Sequence, residues 1–389
     1  MKHALWLLAL MCCACRDDGE RGVATDVSTA VAARPLTDKI DIPDKAPDVL
    51  ANMAQTHANV ELESDEDASL NFSVALPKSW IQRKAPANFR QALFPARALA
   101  TFAPEPKNGG AVAVVAAVAP ITHEIPLDAW SRATFEQEGY KIVDAHWFPG
   151  PSGLFFDITG RRTEPNGEIV RRSSVRQDGA RLFMLNAISP IDQWDEVKGN
   201  IWAAHMTFEL LKARGGTAEE RRKIVARDPG FRIEYPESWE AEVGKARDRG
   251  VSGVHLRLPT PDNTDLAAYL FVRAAAAADG GVDALLEKAL QVAAKSGLSA
   301  QAKPVWLTDE EDPRSIAVEG YLGGYSVPAR MGTGDIILKL GFVRREGLDF
   351  MFVLCSPKPS VDLLNALRAQ RTLEIARASL ELPLKGKSK

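Results

Sequence analysis

Nine residues of this chain occur twice, and that repetition limits the fold more than anything else in it. Phe72–Trp80 reads Phe-Ser-Val-Ala-Leu-Pro-Lys-Ser-Trp, and Phe231–Trp239 reads Phe-Arg-Ile-Glu-Tyr-Pro-Glu-Ser-Trp. Both fit Phe-x-(Val/Ile)-x-(Leu/Tyr)-Pro-x-Ser-Trp. The alternating apolar residues predict a short strand. Pro77 and Pro236 end it, because proline has no N–H to give to a ladder. Trp80 and Trp239 are expected to plug the layer behind. The two copies lie about 160 residues apart, too far for a solenoid unit and right for whole domains.

The match continues in order. Val175–Gly179 (Val-Arg-Gln-Asp-Gly) corresponds to Val343–Gly347 (Val-Arg-Arg-Glu-Gly), and Ser189-Pro190 to Ser356-Pro357. In the first half, 98–103 and 111–119 read as strands joined by an Asn108–Gly110 turn. Leu127–Glu138 reads as a helix with Leu127, Trp130 and Thr134 on one face, stopped by Gly139. Strands follow at 153–161, 169–176 and 181–188, with Pro165-Asn166-Gly167 and Gln177-Asp178-Gly179 as hairpin turns. A helix at 192–205 closes the domain, with Trp194, Val197, Ile201 and His205 on one face, and a short strand 207–210 follows. The second half repeats this plan: strands 253–258 and 266–275, helix 282–296 capped by Gly297, strand 315–321, the matched hairpin, helix 362–376 and strand 379–382. The expected class is α+β: two tandem repeats, each an antiparallel sheet with helices packed on it, at 69–213 and 230–383.

What precedes the first repeat is of another kind. Lys2 and His3 make a short basic start, and Ala4–Met11 an apolar run too short to span a bilayer, which takes roughly 20 residues. Cys12-Cys13-Ala14-Cys15 then turns sharply polar at Arg16-Asp17-Asp18. Residues 1–15 resemble the export signal and lipobox of bacterial lipoproteins, in which a Cys after small residues is lipidated. Cys15, preceded by Ala14, is the expected site, and Cys13, with Leu10 three before it, is the alternative. Three clustered cysteines also suggest a soft metal site, but no fourth ligand stands nearby. Residues 16–68, rich in Ala, Thr, Asp and Pro, read as a polar tether with a short helix near 48–57. Residues 214–229 read as a linker in which Thr217 and Glu220 frame a capping box for a short helix. Arg221-Arg222-Lys223 is then a solvated helix face. Residues 384–389 are a short basic tail.

The order of elements, with the (Val/Ile)-x-x-Pro-x-x-Trp phrase at Val74–Trp80 and Ile233–Trp239, resembles the PsbP/Mog-type domain. The resemblance covers both repeats and rests on fold motifs that carry no catalytic residue. It implies binding and assembly rather than catalysis, and no cofactor. With the leader, it implies an exported, lipid-anchored protein on the periplasmic side of a bacterial cell envelope, with an envelope protein or lipid as partner. Arg16 after Cys15 favours the outer membrane by the same analogy. A net charge of −3 excludes the basic footprint of a general nucleic-acid binder.

Candidate chemistry is sparse. Gly150–Gly153 lacks the spacing of a nucleophile elbow and reads as a turn. The glycines from Gly323 to Gly334 lack a phosphate-loop ending and read as a flexible hairpin loop. His57, His123, His146, His205 and His255 lie in different elements without metal spacing. Asp157 and Glu319 fall in matching strands and are read as solvent-facing. Cys355 sits in an apolar strand opposite Ile188 of the other repeat, as a small buried hydrophobe. Arg161, Arg162, Arg171 and Arg172 flank one turn and form the densest positive patch, a candidate for anionic lipid or an acidic partner. Two other functions stand beside the binding role: an enzyme with a site assembled from distant residues, and a secretion-system accessory chaperone. A buried cluster of acid, histidine and nucleophile would favour the enzyme.

Overall fold

The computed structural model describes residues 47–382, apart from 66, 85–93, 106–111, 245–250, 261–264, 278, 309–317 and 333. The leader with Cys13 and Cys15, the tether up to 46, the 108–110 turn and the tail 384–389 lie outside the described residues.

The first repeat opens with α1 (Pro47–Thr56) and β1 (His57–Leu62), which pairs antiparallel with β2 (Phe72–Pro77). β2 leads through Trp80 into β3 (Trp80–Arg83), then β4 (Arg97–Pro104), β5 (Ala113–Pro120) and α2 (Leu127–Gln137). A meander follows: β6 (Lys141–Gly150), β7 (Gly153–Glu164), β8 (Gly167–Gln177) and β9 (Arg181–Pro190). α3 (Ile191–Thr207) and β10 (Glu209–Leu210) close it. The second repeat runs β11 (Arg221–Ala226), β12 (Phe231–Pro236), β13 (Glu240–Val243), β14 (Val251–Pro259), β15 (Leu266–Ala276) and α4 (Gly281–Lys295). Then come β16 (Leu298–Ala300), β17 (Val305–Trp306), β18 (Tyr321–Met331), β19 (Gly334–Arg345), β20 (Leu348–Pro357) and α5 (Leu363–Ala378).

Beside the small sheets β1-β2-β10 and β11-β12, two large sheets result, with strand orders β3-β4-β5-β9-β8-β7-β6 and β13-β14-β15-β20-β19-β18-β16. Strand for strand these are one topology written twice. β17 adds a second short partner to β18, so the long edge strand β6 has two fragments as its counterpart. Each sheet is covered on both faces: α2 and α3 on the first, α4 and α5 on the second. In each repeat the Pro of the repeated phrase ends its strand, and the next N–H reaches the residue just ahead of the opening strand: Lys78 donates to the Thr56 carbonyl and Glu237 to the Glu220 carbonyl. Phe72, Val74, Phe231 and Ile233 are fully buried, each worth ~1.5–3 kcal/mol relative to exposure. Trp239 plugs its core at 2% exposure, as expected. Trp80 is only half-buried.

Several expectations are corrected. The last part of the tether is β1, and the linker holds β11, not a helix. Both are opening strands, since His57 pairs with Pro77 as Arg221 pairs with Pro236. Both are largely exposed edge strands, so neither shows apolar alternation. Thr217 donates instead to the Glu219 carbonyl. Gly323 and Gly324 lie inside strand β18, not in a loop. A Cβ on Gly323 would strike the Trp306 ring, and one on Gly324 would lie 2.6 Å from the Tyr321 hydroxyl. These glycines permit close approach. Of the expected strand 315–321, the part to 317 lies outside the described residues, and Val318–Gly320 precede β18 as a turn. Finally, the hairpin match is one residue out of register. Arg176 faces Phe183 where Val343 faces Phe350, and Ser174 faces Leu185 where Gly341 faces Phe352. Val175 therefore packs under α2, while Val343 packs under α5.

Candidate functional site

The sequence pooled Arg161, Arg162, Arg171 and Arg172 into one patch. They do not form one, because consecutive strand residues point to opposite faces of a sheet. Arg162 and Arg171 lie on the α2 face. The Arg162 guanidinium sits 4.6 Å from the Tyr140 ring centroid and that of Arg171 4.7 Å from Phe135. Arg172 lies on the α3 face, 2% exposed. Each has a carboxylate: Glu168 for Arg161, Glu164 for Arg162, Glu138 for Arg171 and Asp157 for Arg172. The positive charge is spent internally.

Asp157 is the largest correction. It is fully buried, not solvent-facing, since helices cover both faces of β7 and alternation leaves no wet side. Ser174 stands directly opposite it on β8, and His205 descends from the last turn of α3. Arg172 Nε donates to Asp157 Oδ1 at 3.0 Å and Oδ2 at 3.2 Å. Ser174 Oγ lies 2.5 Å from Asp157 Oδ2 and 2.6 Å from His205 Nδ1. Burial would raise the Asp157 pKa, but the Arg172 guanidinium, His205 and the Ser174 hydroxyl outweigh it and hold the carboxyl well below the usual range. Burial lowers the His205 pKa against the pull of Asp157, so the imidazole is neutral at pH 7. An ionised Asp157 only accepts, so the Ser174 proton points to it. His205 must then carry its proton on Nδ1 and donate to Ser174 Oγ. The bare Nε2 is buried without a hydrogen-bond partner.

An acid, a histidine and a nucleophile are thus together, the constellation that would favour an enzyme. Its geometry does not. A hydrolytic triad places the base nitrogen on the serine and the other nitrogen on the acid. Here Nδ1 alone faces both groups, 2.6 Å from Ser174 and 3.5 Å from Asp157. Serine donates its hydrogen bond to the acid directly, and Asp157, Ser174 and His205 are all fully buried. The arrangement pins α3 to its sheet.

A second polar cluster joins the repeats, and no sequence pattern points to it. Glu124, between β5 and α2, is 2% exposed. Its Oε1 accepts from Arg221 Nε at 3.0 Å, and its Oε2 from Arg221 Nη2 at 3.1 Å and Arg371 Nε of α5 at 3.0 Å. Arg371 also donates to Glu374 at 3.0 Å. Burial opposes the Arg371 charge, but Glu374 and Glu124 outweigh it and raise its pKa. Glu219 accepts from the backbone N–H groups of Glu124 and Ser238, both at 3.2 Å, and faces His123 Nδ1 at 3.6 Å. Beside this, Leu363 and Leu367 of α5 enter the first repeat's core with Ile121, Ile125 and Trp130. The closing helix of one repeat completes the core of the other.

Other sequence candidates stand outside both clusters. Cys355 is a free, buried thiol whose pKa burial pushes up to about 12. Ser152, in the β6–β7 turn, accepts from the Leu210 N–H at 2.7 Å. Glu319 is exposed, far from any partnership with Asp157. Among the described residues no group of three His, Cys, Asp or Glu is placed to hold a metal ion, and no helix is long and apolar enough to cross a membrane.

No family model matches the chain, and no curated protein matches it. Solved structures similar to it include cyanobacterial PsbP from Synechocystis sp. PCC 6803, at 13% identity and TM-score 0.30, covering 39% of this chain and 92% of that one. Another is LpqN, described as involved in cell envelope biogenesis of Mycobacterium tuberculosis, at 9% identity and TM-score 0.31, covering 41% and 96%. A third is the type VI secretion immunity protein TplEi of Pseudomonas aeruginosa, at 10% identity and TM-score 0.20, covering 83% and 97%. At these identities and scores they decide nothing about what this chain does.

Proposed function

We propose that the chain is an exported, lipid-anchored, non-enzymatic binding or assembly protein of the bacterial cell envelope. Its two PsbP/Mog-type repeats form one rigid platform, and Cys15, or alternatively Cys13, carries the lipid. One observation carries this reading: the described groups best suited to chemistry are consumed in holding the scaffold. Asp157, Ser174, His205 and Arg172 are sealed under α3, and Glu124, Arg221 and Arg371 are locked between the repeats. The leader supplies the second half of the reading, since its apolar run ends in cysteines and an abrupt polar stretch. A partner protein or lipid then meets surface, not a catalytic cleft.

Affinity capture from detergent-solubilised membranes, followed by mass spectrometry, tests it, with Cys15→Ala as the control. A specific protein that is recovered with the wild type and lost from the control supports a tethered assembly role. Recovery of nothing specific, with the wild type lipidated and membrane-bound, overturns it. A fluorophosphonate probe tests the enzyme alternative on the same preparation. Covalent labelling that Ser174→Ala abolishes would establish a working nucleophile and end the non-enzymatic reading.

A further inference from the structure

Beneath the C-terminal end of α4 lies an open hollow of about 480 Å³, lined by Leu290, Ala293, Ala294, Leu298 and Leu338 among others. No charged side chain lines it, and its size falls in the range of ligand sites, roughly 300–1,000 Å³. Its meaning comes from the same place in the first repeat. Leu127, Ser131 and Phe135 are buried at the spacing of Leu285, Ala289 and Ala293. Gly139 and Gly297 end the two helices at φ +79° and +83°. Tyr140 therefore corresponds to Leu298. Arg171 is paired with Gly160 and Ile188 as Leu338 is paired with Val327 and Cys355.

In the first repeat this place is full. The Phe135 and Tyr140 rings lie 5.3 Å apart, with the Arg171 guanidinium 4.7 Å and 5.6 Å from their centroids. Room for them comes from Gly160, where a Cβ would lie 2.8 Å from the Phe135 ring. In the second repeat alanine replaces the phenylalanine, and two leucines replace the tyrosine and the arginine. One fold thus carries the same pocket twice, filled once from within and once left open with apolar walls. Beside the open copy runs β16, the last strand of its sheet, with its outer edge unpaired by any described strand. A polypeptide laid along such an edge gains backbone hydrogen bonds and puts alternate side chains into adjoining pockets.

We propose that this hollow receives an aromatic side chain from an extended segment of a protein partner lying along β16. The ring would take the place that Phe135 and Tyr140 hold in the first repeat. This deepens the proposed binding role and rests on it.

The lipidated full chain in lipid nanodiscs is irradiated with the tripeptide acetyl-Gly-(p-benzoyl-Phe)-Gly-amide, and cross-linked residues are mapped by mass spectrometry. Adducts are expected on 290–300 and Leu338. Two variants should each cut them at least tenfold. Ala293→Phe with Val327→Gly refills the hollow as the first repeat does, with Val327→Gly supplying the space that Gly160 supplies there. Ala294→Asp puts a charge at the exposed rim, and carries the test alone if the filled variant does not fold. Adducts elsewhere, or adducts unchanged by Ala294→Asp, overturn the proposal. So does labelling of the hollow by a diazirine-bearing decanoyl probe with none by the tripeptide, which would make it an acyl-chain site. Captured partner protein without aromatic adducts removes only this inference. Aromatic adducts with no partner recovered from membranes count against the assembly role itself.

Discussion

Where α3 crosses β7 and β8, the first repeat sets Asp157 opposite Ser174 and brings His205 down onto both. Where α5 packs on its sheet, the second repeat sets Gly324 opposite Gly341 and lays Arg377 against Gly341, with the Tyr321 hydroxyl over Gly324. The positions are equivalent. Thr207 accepts from the Ala75 N–H and Ser379 from the Glu234 N–H, and the key helix residue stands two places earlier in each case. Arg377 is 3% exposed and lies 5.8 Å from the Tyr321 ring centroid. One repeat ties its closing helix down with short side chains in a hydrogen-bonded chain. The other removes the side chains from the sheet and fills the space over Gly341 with one long one from the helix. The topology prescribes a contact at that point and leaves its chemistry free.

The difference predicts unequal fragility. Asp157→Ala leaves the Arg172 charge buried without its acceptor, and should cost about 3–5 kcal/mol in urea unfolding. Arg377→Met keeps an apolar stem over Gly341 and should cost less. Equal losses would mean that the two contacts are energetically alike. At the joint between the repeats, Glu124→Ala strips Arg221 and Arg371 of a shared acceptor. A loss of about 1.5–3 kcal/mol is expected. Hydrogen exchange should also show the halves opening separately, and continued joint opening would put the coupling in Leu363 and Leu367 instead. Moving serine into the second repeat is milder. In Gly341→Ser the new Cβ would stand 3.1 Å from Arg377 Nη1 and 3.4 Å from its Cδ. Overpacking of about 1–3 kcal/mol should follow, relieved by adding Arg377→His. No relief would mean that the cost lies in the strand backbone.

The strength of each signal explains what the sequence disclosed. Phe72, Val74, Phe231 and Ile233 form an alternating apolar pattern closed by proline, and the fold answers it directly. β1 and β11 were invisible because an exposed edge strand needs no apolar residues, so His57–Leu62 looked like tether and Arg221–Ala226 like a charged helix. Asp157 was misplaced because alternation tells two faces apart but not which one is wet, and here neither is. The two arginine pairs were pooled by nearness along the chain, although adjacent strand residues part company at once. His205 drew notice only as one member of a helix face. Its partners come from strands that lie 31 and 48 residues away, and no local pattern announces a meeting of that kind. The joint at Glu124 is still less legible, since it depends on how two finished repeats dock.

His205 gives the finest test of the comparison, because it titrates. Burial depresses its folded pKa below the ordinary value of 6.5. A histidine that must stay neutral when folded contributes in full above its unfolded pKa, and loses that contribution as pH falls below about 6.5 toward the folded value. Asp157 adds a further loss at lower pH, since its depressed carboxyl is stabilising above the ordinary carboxylate pKa and is protonated only in strong acid. The His205 loss begins at the higher pH, and His205→Asn separates it from that of Asp157. The Asn side-chain amide donates to Ser174 Oγ as Nδ1 does but takes up no proton. The variant should match the wild type within about 1 kcal/mol at pH 7.5. The decline between pH 6.5 and 5 should flatten, while the loss below pH 4 should persist. Unfolding curves at half-unit pH steps would show it. An unchanged slope between pH 6.5 and 5 would place the acid sensitivity away from the contact that distinguishes the first repeat from the second.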